Sequence, residues 1–238
     1  MSNETTSRPI TPNQAALRMF ASFLATLLLS AVLIFGGAGR LNWTLGWIFL
    51  TAWIVPKLAF LILLRWRDPE LLIERATRHK NTQKYDRILL PAYFVFAFGT
   101  FIVASLDGGR FRWSGEVPIA LIVAAYIIYL LGNSLAGWAI NSNPFFSAES
   151  RLQADRAQRV TSSGPYRFVR HPAYSATLLL WITTGPMLAS WWAIISGFLA
   201  GLMMVIRTVY EDRMLNDELP GYADYARQVR YRLIPGLW

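Results

Sequence analysis

The chain contains no cysteine and only two histidines, His79 and His171. The missing thiols exclude disulfides, thiolate metal sites and cysteine nucleophiles. Two imidazoles are too few for a histidine-rich metal centre, so we expect no resident metal ion. Charged residues are also scarce, at 16% of the 238 residues, against roughly 25% in an ordinary globular domain. This low charge argues against a soluble protein.

Hydrophobic residues make up 54% of the chain and fall in long apolar runs. A helix needs roughly 20 apolar residues to cross the core of a bilayer. The sequence therefore predicts an all-α polytopic membrane protein with about six transmembrane helices, the last two forming a helical hairpin. The six apolar segments are Leu17–Gly36, Leu45–Leu64, Ile88–Leu106, Val117–Ile140, Tyr174–Ala189 and Trp191–Val209.

The formal net charge of +9 is distributed between these runs. Six spans place nineteen Lys and Arg residues on the side of the two termini and three on the other side. The positive-inside rule then predicts that both termini are cytoplasmic. Basic loops beside apolar spans favour contact with anionic membrane lipids. We therefore expect membrane lipids as partners and no nucleic acid, and nothing in the sequence indicates an oligomeric state.

We interpret residues 1–14 as a polar cytoplasmic tail and residues 15–238 as a single membrane-embedded domain. The tail lacks the basic and then apolar layout of a secretory signal. In the second polar loop, Asp68 is a good N-cap and Pro69 suits the first helical position. This pair predicts a short interfacial helix over Pro69–Thr77.

Residues 164–174 read Gly-Pro-Tyr-Arg-Phe-Val-Arg-His-Pro-Ala-Tyr. Gly164-Pro165 predicts a turn, and Pro172 then opens the fifth span. Free backbone N–H groups at a helix start favour a carboxylate or phosphate, and the guanidinium, imidazole and phenols here would surround such a ligand. Arg, Tyr and His suit the head-group region equally well, so an interfacial anchor is the alternative interpretation.

A second polar group lies on the sixth span, where Arg207, Glu211 and Asp212 are close in sequence. Arg207 and Glu211 are four residues apart and share a helix face. Such charges are costly at membrane depth unless they are paired or bind a ligand. A carboxylate that accepts hydrogen bonds from ribose hydroxyls or an amino group is one interpretation, and an exposed ion pair within the helix is the other.

Three further features have both a functional and an ordinary interpretation. The tail 219–235 alternates aromatic and basic residues, which is typical of a lid over a site and also of an interfacial anchor. Lys57 lies within the second span, where snorkelling competes with a buried functional role. Asn143 follows the fourth span, where it would line a substrate entrance or cap the helix.

The order Arg170-His171-Pro172-x-Tyr174, then an apolar span, then an acidic pair resembles the isoprenylcysteine carboxyl methyltransferase family, which also includes phospholipid methyltransferases and bacterial relatives. The specific part of the resemblance covers residues 164–235. The chain departs from the family pattern at two points. Asp212 stands where a second Glu is usual, and Ser175-Ala176 replaces a glycine-containing step.

The resemblance implies an S-adenosylmethionine-dependent methyltransferase of a bacterial inner membrane, with its cofactor site in residues 141–238. The implied acceptor is lipophilic, either an isoprenylcysteine-type carboxylate or a related lipid carboxylate, amine or thiol. Glu211 and Arg207 are the expected catalytic residues, and Asn143 and Arg207 the expected substrate contacts. The residues expected to bind the cofactor are Gly164, Tyr166, Arg170, His171, Pro172, Tyr174 and Glu211.

Two other classes remain open at this point. Membrane NADPH-dependent sterol or enone reductases resemble the chain around the His-Pro-x-Tyr segment. They tend to have Asn before that Tyr and Gly-Glu after it, whereas Ala173 and Ser175-Ala176 stand here and favour methyl transfer. A non-catalytic membrane protein is the second alternative, and it would tolerate Ala at Arg170, His171 and Glu211.

Overall fold

The computed structural model describes residues 11–77 and 82–238, and over these ranges it is all-helical, without a strand. His79 and most of the predicted polar tail lie outside the described residues. The helices of the described ranges are α1 (Pro12–Ala38), α2 (Thr44–Arg67), α3 (Pro69–Ala76), α4 (Asp86–Ala104), α5 (Ile119–Ser142), α6 (Pro172–Met187), α7 (Ala193–Glu218) and α8 (Tyr222–Gln228). The predicted fold class is confirmed.

Two helices begin where the sequence supplies a capping side chain. Thr11 accepts a hydrogen bond from the Gln14 backbone N–H at 3.3 Å, and the Gln14 side chain accepts one from the Thr11 backbone in return. Asp68 accepts from the Leu71 N–H at 2.9 Å, and Pro69 follows it. Each cap satisfies N–H groups that have no partner within the helix. The short helix predicted after Asp68 is confirmed as α3.

Within the described ranges, five helices are long and apolar enough to cross a membrane, namely α1, α2, α4 with its π-helical extension Ser105–Phe111, α5 and α7. α6 has only 16 residues. Its two ends nevertheless lie at opposite ends of the helix bundle. Its first turn packs near the C-terminal half of α7, and Ser190, just beyond its last turn, donates to Asp107 at 2.6 Å, where α4 ends. Six helices therefore traverse the bundle in alternating directions.

α6 and α7 form the predicted helical hairpin. The connection between them spans residues 188–192. Gly197 of α7 lies directly against α6, because a Cβ atom at this position would come within 2.6 Å of the Trp181 carbonyl oxygen. A larger side chain would push the two helices apart. The hairpin therefore fixes how the first turn of α6 is aligned with the C-terminal half of α7.

That other end, which we call the site end, gathers the polar segments of the chain. Arg151 donates from Nε and Nη2 to Glu74 of α3 at 3.1 and 2.8 Å. The backbone N–H groups of Arg170 and His171 both donate at 2.9 Å to carbonyls of the C-terminal tail. α3, residues 143–171 and residues 219–238 are thereby held over the same end of the bundle.

Candidate active site

A cavity opens at the site end between residues 143–161, the start of α6, the C-terminal half of α7 and α8. Six of the residues predicted to form the site line it, and they are Asn143, Tyr166, Arg170, His171, Tyr174 and Glu211. Gly164, Pro172 and Arg207 do not line it. The structure therefore brings most of the predicted residues around one cavity, from segments that are separated by tens of residues.

Gly164 and Pro172 shape the cavity from outside its wall. Gly164 has a φ of +59°, a backbone conformation that favours glycine. A Cβ at this position would approach the Ser142 hydroxyl to 2.3 Å, so the turn packs closely on the end of α5. Pro172 occupies the first turn of α6, where its missing N–H costs nothing. Both residues thus set the path of the chain that carries Tyr166 and Tyr174.

Glu211 faces the cavity with its carboxylate held in place from behind. Its Oε2 accepts a hydrogen bond from the Tyr174 hydroxyl at 2.6 Å and another from the Ser150 hydroxyl at 2.8 Å. Both bonds reach the same oxygen, so Oε1 has no hydrogen-bond partner among residues 11–77 and 82–238. A carboxylate oriented in this way can accept hydrogen bonds from a ligand.

Arg207 completes a closed ring of hydrogen bonds behind Glu211. Its Nη1 donates to the Tyr174 hydroxyl at 2.7 Å, and its Nε and Nη2 donate to Asp86 at 2.8 and 2.9 Å. Asp86 in turn accepts from the Ser150 backbone N–H at 2.6 Å. The ring links α4, the loop after α5, α6 and α7.

The burial of Arg207 decides between the two interpretations of the α7 charges. Its side chain is 5% exposed and that of Asp86 is 1% exposed, so an exposed ion pair within the helix is wrong. The Tyr174 hydroxyl lies between Arg207 and Glu211 as a bridge. Arg207 also donates to the Ala148 carbonyl at 3.1 Å, so all three guanidinium nitrogens have protein partners. The predicted contact of Arg207 with an acceptor stays a prediction.

Asp212 has a different task from its neighbour Glu211. Arg170 donates to both of its oxygens, at 2.7 and 2.9 Å, and Tyr222 and Arg232 each donate at 2.8 Å. His171 Nε2 lies 3.3 Å from the same carboxylate. Burial raises the pKa of Tyr222, and the charge of Asp212 raises it further, so this phenol keeps its proton. Asp212 therefore ties the start of α6 to α8 and the tail.

The guanidinium of Arg170 therefore has protein partners for its hydrogen bonds. Besides Asp212, its Nη1 donates to the carbonyls of Val229 and Arg230 at 2.8 and 2.9 Å. The N–H groups of Arg170 and His171, expected to be open to a ligand, are taken by the tail carbonyls of Tyr231 and Arg232. These residues thus border the cavity and hold the tail against the start of α6.

Tyr166 presents a neutral phenol to the cavity. Burial raises the pKa of Tyr166 to about 12, and the negative charge of Glu211 raises it as well. Asn143 donates to the Tyr166 hydroxyl at 3.3 Å, and Thr161 donates to the Asn143 side-chain oxygen at 3.1 Å. The Tyr225 hydroxyl donates to the Tyr166 carbonyl at 2.7 Å. α8 therefore covers the turn that begins at Gly164.

Sequence reasoning missed Asp86 and Ser150, and it included Tyr222 only as part of the tail 219–235. Asp86 is an acid at the membrane end of an apolar run, and such a residue needs a cation when it is buried. Its partner Arg207 lies 121 positions further along the chain. The two residues could have been singled out separately as costly charges, but only the helix packing pairs them.

Residues 120–219 match the phospholipid methyltransferase family. This range contains Ser150, Tyr174, Arg207 and Glu211, whereas Asp86 and α8 lie outside it. The cobalt-zinc-cadmium resistance protein CzcN of Cupriavidus metallidurans is 33% identical over 132 residues, which is 54% of this chain and 56% of that protein. The chain thus spans about half the length of this curated relative. The resemblance to a methyltransferase family that the motif indicated is confirmed over these residues.

Proposed function

We propose that this chain is an S-adenosylmethionine-dependent methyltransferase that acts on a lipophilic acceptor at the membrane surface. The observation that carries the proposal is the geometry of the Glu211 carboxylate. Tyr174 and Ser150 hold one of its oxygens, and the other oxygen, without a partner among the described residues, is free to accept from a ligand. The cavity that it faces is built mainly by the residues that match a methyltransferase family.

The side chains around the cavity fit the chemical groups of this cofactor. S-adenosylmethionine presents ribose hydroxyls and an ammonium group, for which Glu211 is a suitable acceptor. Its adenine ring can pack against aromatic side chains, and Phe146, Tyr166 and Tyr225 line the cavity. The donor set therefore fits the group that the family implies.

The cofactor carboxylate needs a cation, and the best candidate is Arg159. Three guanidinium groups line the cavity, those of Arg151, Arg159 and Arg170. Arg151 is paired with Glu74 and Arg170 with Asp212. Among the described residues Arg159 forms no ion pair, and it is exposed at the cavity mouth. Arg159 can therefore turn toward a bound carboxylate without breaking an existing pair.

When bound, S-adenosylmethionine supplies a methyl group already activated on a sulfonium, so the transfer needs little acid–base catalysis. The contribution of the protein is to hold the reacting groups in line and to exclude water. Glu211 holds its ligand in one orientation because the ring through Tyr174 and Ser150 fixes its carboxylate. α8 excludes water by covering one side of the cavity with Tyr222 and Tyr225, and Asp212 anchors it through Tyr222. Arg207 acts as a positioning residue in this scheme.

We place both termini and the site end on the cytoplasmic side of a bacterial inner membrane. Two observations, one of the sequence and one of the fold, support this orientation. The Lys and Arg residues of the polar segments outnumber those of the opposite loops by nineteen to three. The described parts of those basic segments meet at the site end, and the positive-inside rule assigns such segments to the cytoplasm.

The test is calorimetric binding of S-adenosylmethionine, its demethylated product and NADPH to the detergent-purified protein. We expect the first two to bind and Glu211→Gln to weaken both by about tenfold or more, since one hydrogen-bonded charge contributes roughly 1.5–3 kcal/mol. Glu218→Gln, at the exposed end of the same helix, is the matched control and should bind normally. Binding of NADPH alone, or of no nucleotide by folded protein, would contradict the proposal.

A further inference from the structure

A second cavity of about 640 Å³ lies between α1, α2 and α5, beside the candidate active site. This volume is within the roughly 300–1,000 Å³ of ordinary ligand pockets. Its walls are mainly apolar, and along α5 it extends from Leu130 to Asn141. At about 1.5 Å per residue this is roughly 17 Å, from the site end to about the middle of the bundle. The cavity has the shape and lining for an extended hydrocarbon chain.

Arg75 of α3 lines the site end of this cavity. Its Nε and Nη1 are buried and have no hydrogen-bond partner in the described part of the chain. The neighbouring Glu74 is engaged with Arg151 instead. Buried donors without partners are rare and costly in a folded protein. Burial lowers the pKa of Arg75 to about 10. Among residues 11–77 and 82–238, the guanidinium forms no ion pair with a carboxylate.

Phe146 lies between the candidate active site and Arg75 at the end of the second cavity. It lines the candidate active site, and its ring centroid lies 5.1 Å from the Arg75 guanidinium carbon. Phe60 of α2 contacts the same guanidinium at 5.8 Å. Arg75 thus contacts two aromatic rings, one of which belongs to the wall of the proposed cofactor cavity. A group bound by Arg75 would lie about one aromatic ring away from that cavity.

A second cation, Lys57, lines the same cavity but at a different depth. It lies ten residues before the last residue of α2, or about 15 Å from the site end. Its ammonium already lies 4.2 Å from the Trp53 ring centroid and donates to the Trp53 carbonyl at 3.5 Å. Depth and existing contacts therefore single out Arg75 as the cation that can act next to the active site.

We propose that Arg75 selects the methyl acceptor, a single-chain lipid carboxylate whose head group binds Arg75 and whose chain occupies the cavity between α1, α2 and α5. The inference rests on the proposed methyltransferase function and narrows its acceptor to an oxyanion. A lipid amine, as a cation, would be repelled at this position.

The chemistry balances without a further reactant. Once the Phe146 side chain turns aside, a carboxylate oxygen reaches and attacks the methyl carbon, and a C–O bond forms. The C–S bond breaks and its electron pair stays on sulfur, which becomes neutral. No proton is transferred, and the product is an uncharged methyl ester. The ester no longer forms an ion pair with Arg75, so methylation itself weakens the contact that held the acceptor and favours release of the product.

The first test measures binding without the cofactor. A fluorescent long-chain fatty acid and the amine of the same chain are titrated against the detergent-purified protein. We expect the wild type to prefer the acid by about tenfold or more, as for a charge-assisted contact of roughly 1.5–3 kcal/mol. Arg75→Gln should abolish the preference, and Arg75→Lys should restore part of it.

Two controls separate this site from the rest of the chain. Arg67→Gln removes an exposed arginine at the end of α2 and should change nothing. Lys57→Met removes the other cation of the same cavity and should leave the preference for the acid intact. An equal affinity of the wild type for acid and amine, or a preference lost with Lys57→Met and kept with Arg75→Gln, would overturn the assignment.

The second test separates an acceptor from a lipid that merely fills the cavity. With S-adenosylmethionine present, the bound acid should become its methyl ester, and Arg75→Gln should raise the KM for the acid while the Kd for S-adenosylmethionine stays unchanged. In a different outcome, the protein methylates another lipid while the acid binds through Arg75 and is never esterified. That result would refute the acceptor assignment and leave the proposed function intact. A folded wild-type protein that does not bind S-adenosylmethionine would instead refute the proposed function.

Discussion

The hydroxyl of Tyr174 and the carboxylate of Glu211 are joined by a hydrogen bond of 2.6 Å. The same hydroxyl accepts a hydrogen bond from Arg207 at 2.7 Å. A single phenol on α6 therefore orients the carboxylate of α7 that faces the cavity, and it is itself oriented by a buried cation. Charge-assisted bonds of this kind are stronger than neutral ones, so the ring should be rigid.

Removing the Tyr174 hydroxyl should therefore loosen Glu211. We expect Tyr174→Phe to weaken S-adenosylmethionine binding severalfold and to cost about 1–3 kcal/mol of stability, because Arg207 and Glu211 each lose a buried partner. Calorimetry and thermal unfolding in detergent measure the two effects. Tyr210→Phe, which alters an exposed tyrosine on the same helix as Glu211, is the control. Unchanged binding in Tyr174→Phe would contradict the positioning role of this hydroxyl.

The buried pair of Asp86 and Arg207 should matter for stability. Asp86→Asn leaves Arg207 with an uncompensated charge, and breaking such a buried pair typically costs about 3–5 kcal/mol. The double variant Asp86→Asn, Arg207→Met should regain part of this loss, because it buries no unpaired charge. Unfolding followed by tryptophan fluorescence gives the double-mutant cycle. Strictly additive effects of the two changes would show that the pair is not coupled.

Asp212 should control how firmly α8 and the tail are held against the start of α6. Asp212→Asn weakens the contacts to Arg170, Tyr222 and Arg232 together. We expect faster hydrogen exchange of the amides in α8 and residues 229–238, with little change in α1 and α2. Asp217→Asn is a matched control, since this residue is exposed on the same helix. Equal exchange in Asp212→Asn and in the wild type would contradict the role of Asp212 as an anchor.

The phenol of Tyr166 gives a pH prediction. Its pKa in the folded protein is about 12, above the ordinary value of 10.0, so folding favours the protonated form. Its contribution to stability is complete below about pH 10 and is lost as the pH rises through 12. In Tyr166→Phe the loss of stability between these pH values should be smaller. Melting temperatures across this range, with tyrosinate absorbance as a monitor, provide the measurement.

Local features of the sequence were sufficient to predict much of the fold. Asp68 and Pro69 specify the start of α3 through their own capping chemistry, and the lengths of the apolar runs specify the spans. The close approach of α6 and α7 was predictable from the short connection between them. Each of these features depends on residues within a few positions of one another.

The partners of the site residues could not be predicted in this way. The hydrogen bonds of Arg207 to Asp86 depend on how α4 packs beside α7. Arg170 lines the cavity as predicted, but its hydrogen bonds to the tail carbonyls depend on how the tail returns over α6. Arg75 was not singled out at all, because its burial depends on how α1, α2 and α5 pack around it. Long-range packing decides which charges are already paired and which remain open to a ligand.

Transfer of a labelled methyl group is the most direct test of the central claim. Purified protein is incubated with S-adenosylmethionine labelled on the methyl group and with a long-chain lipid carboxylate, and the label in the organic phase is counted. We predict base-labile label in the lipid with the wild type and Glu218→Gln, and a reduction of about tenfold or more with Glu211→Gln. Equal transfer by folded Glu211→Gln, or no transfer by the wild type to any lipid, would contradict the account.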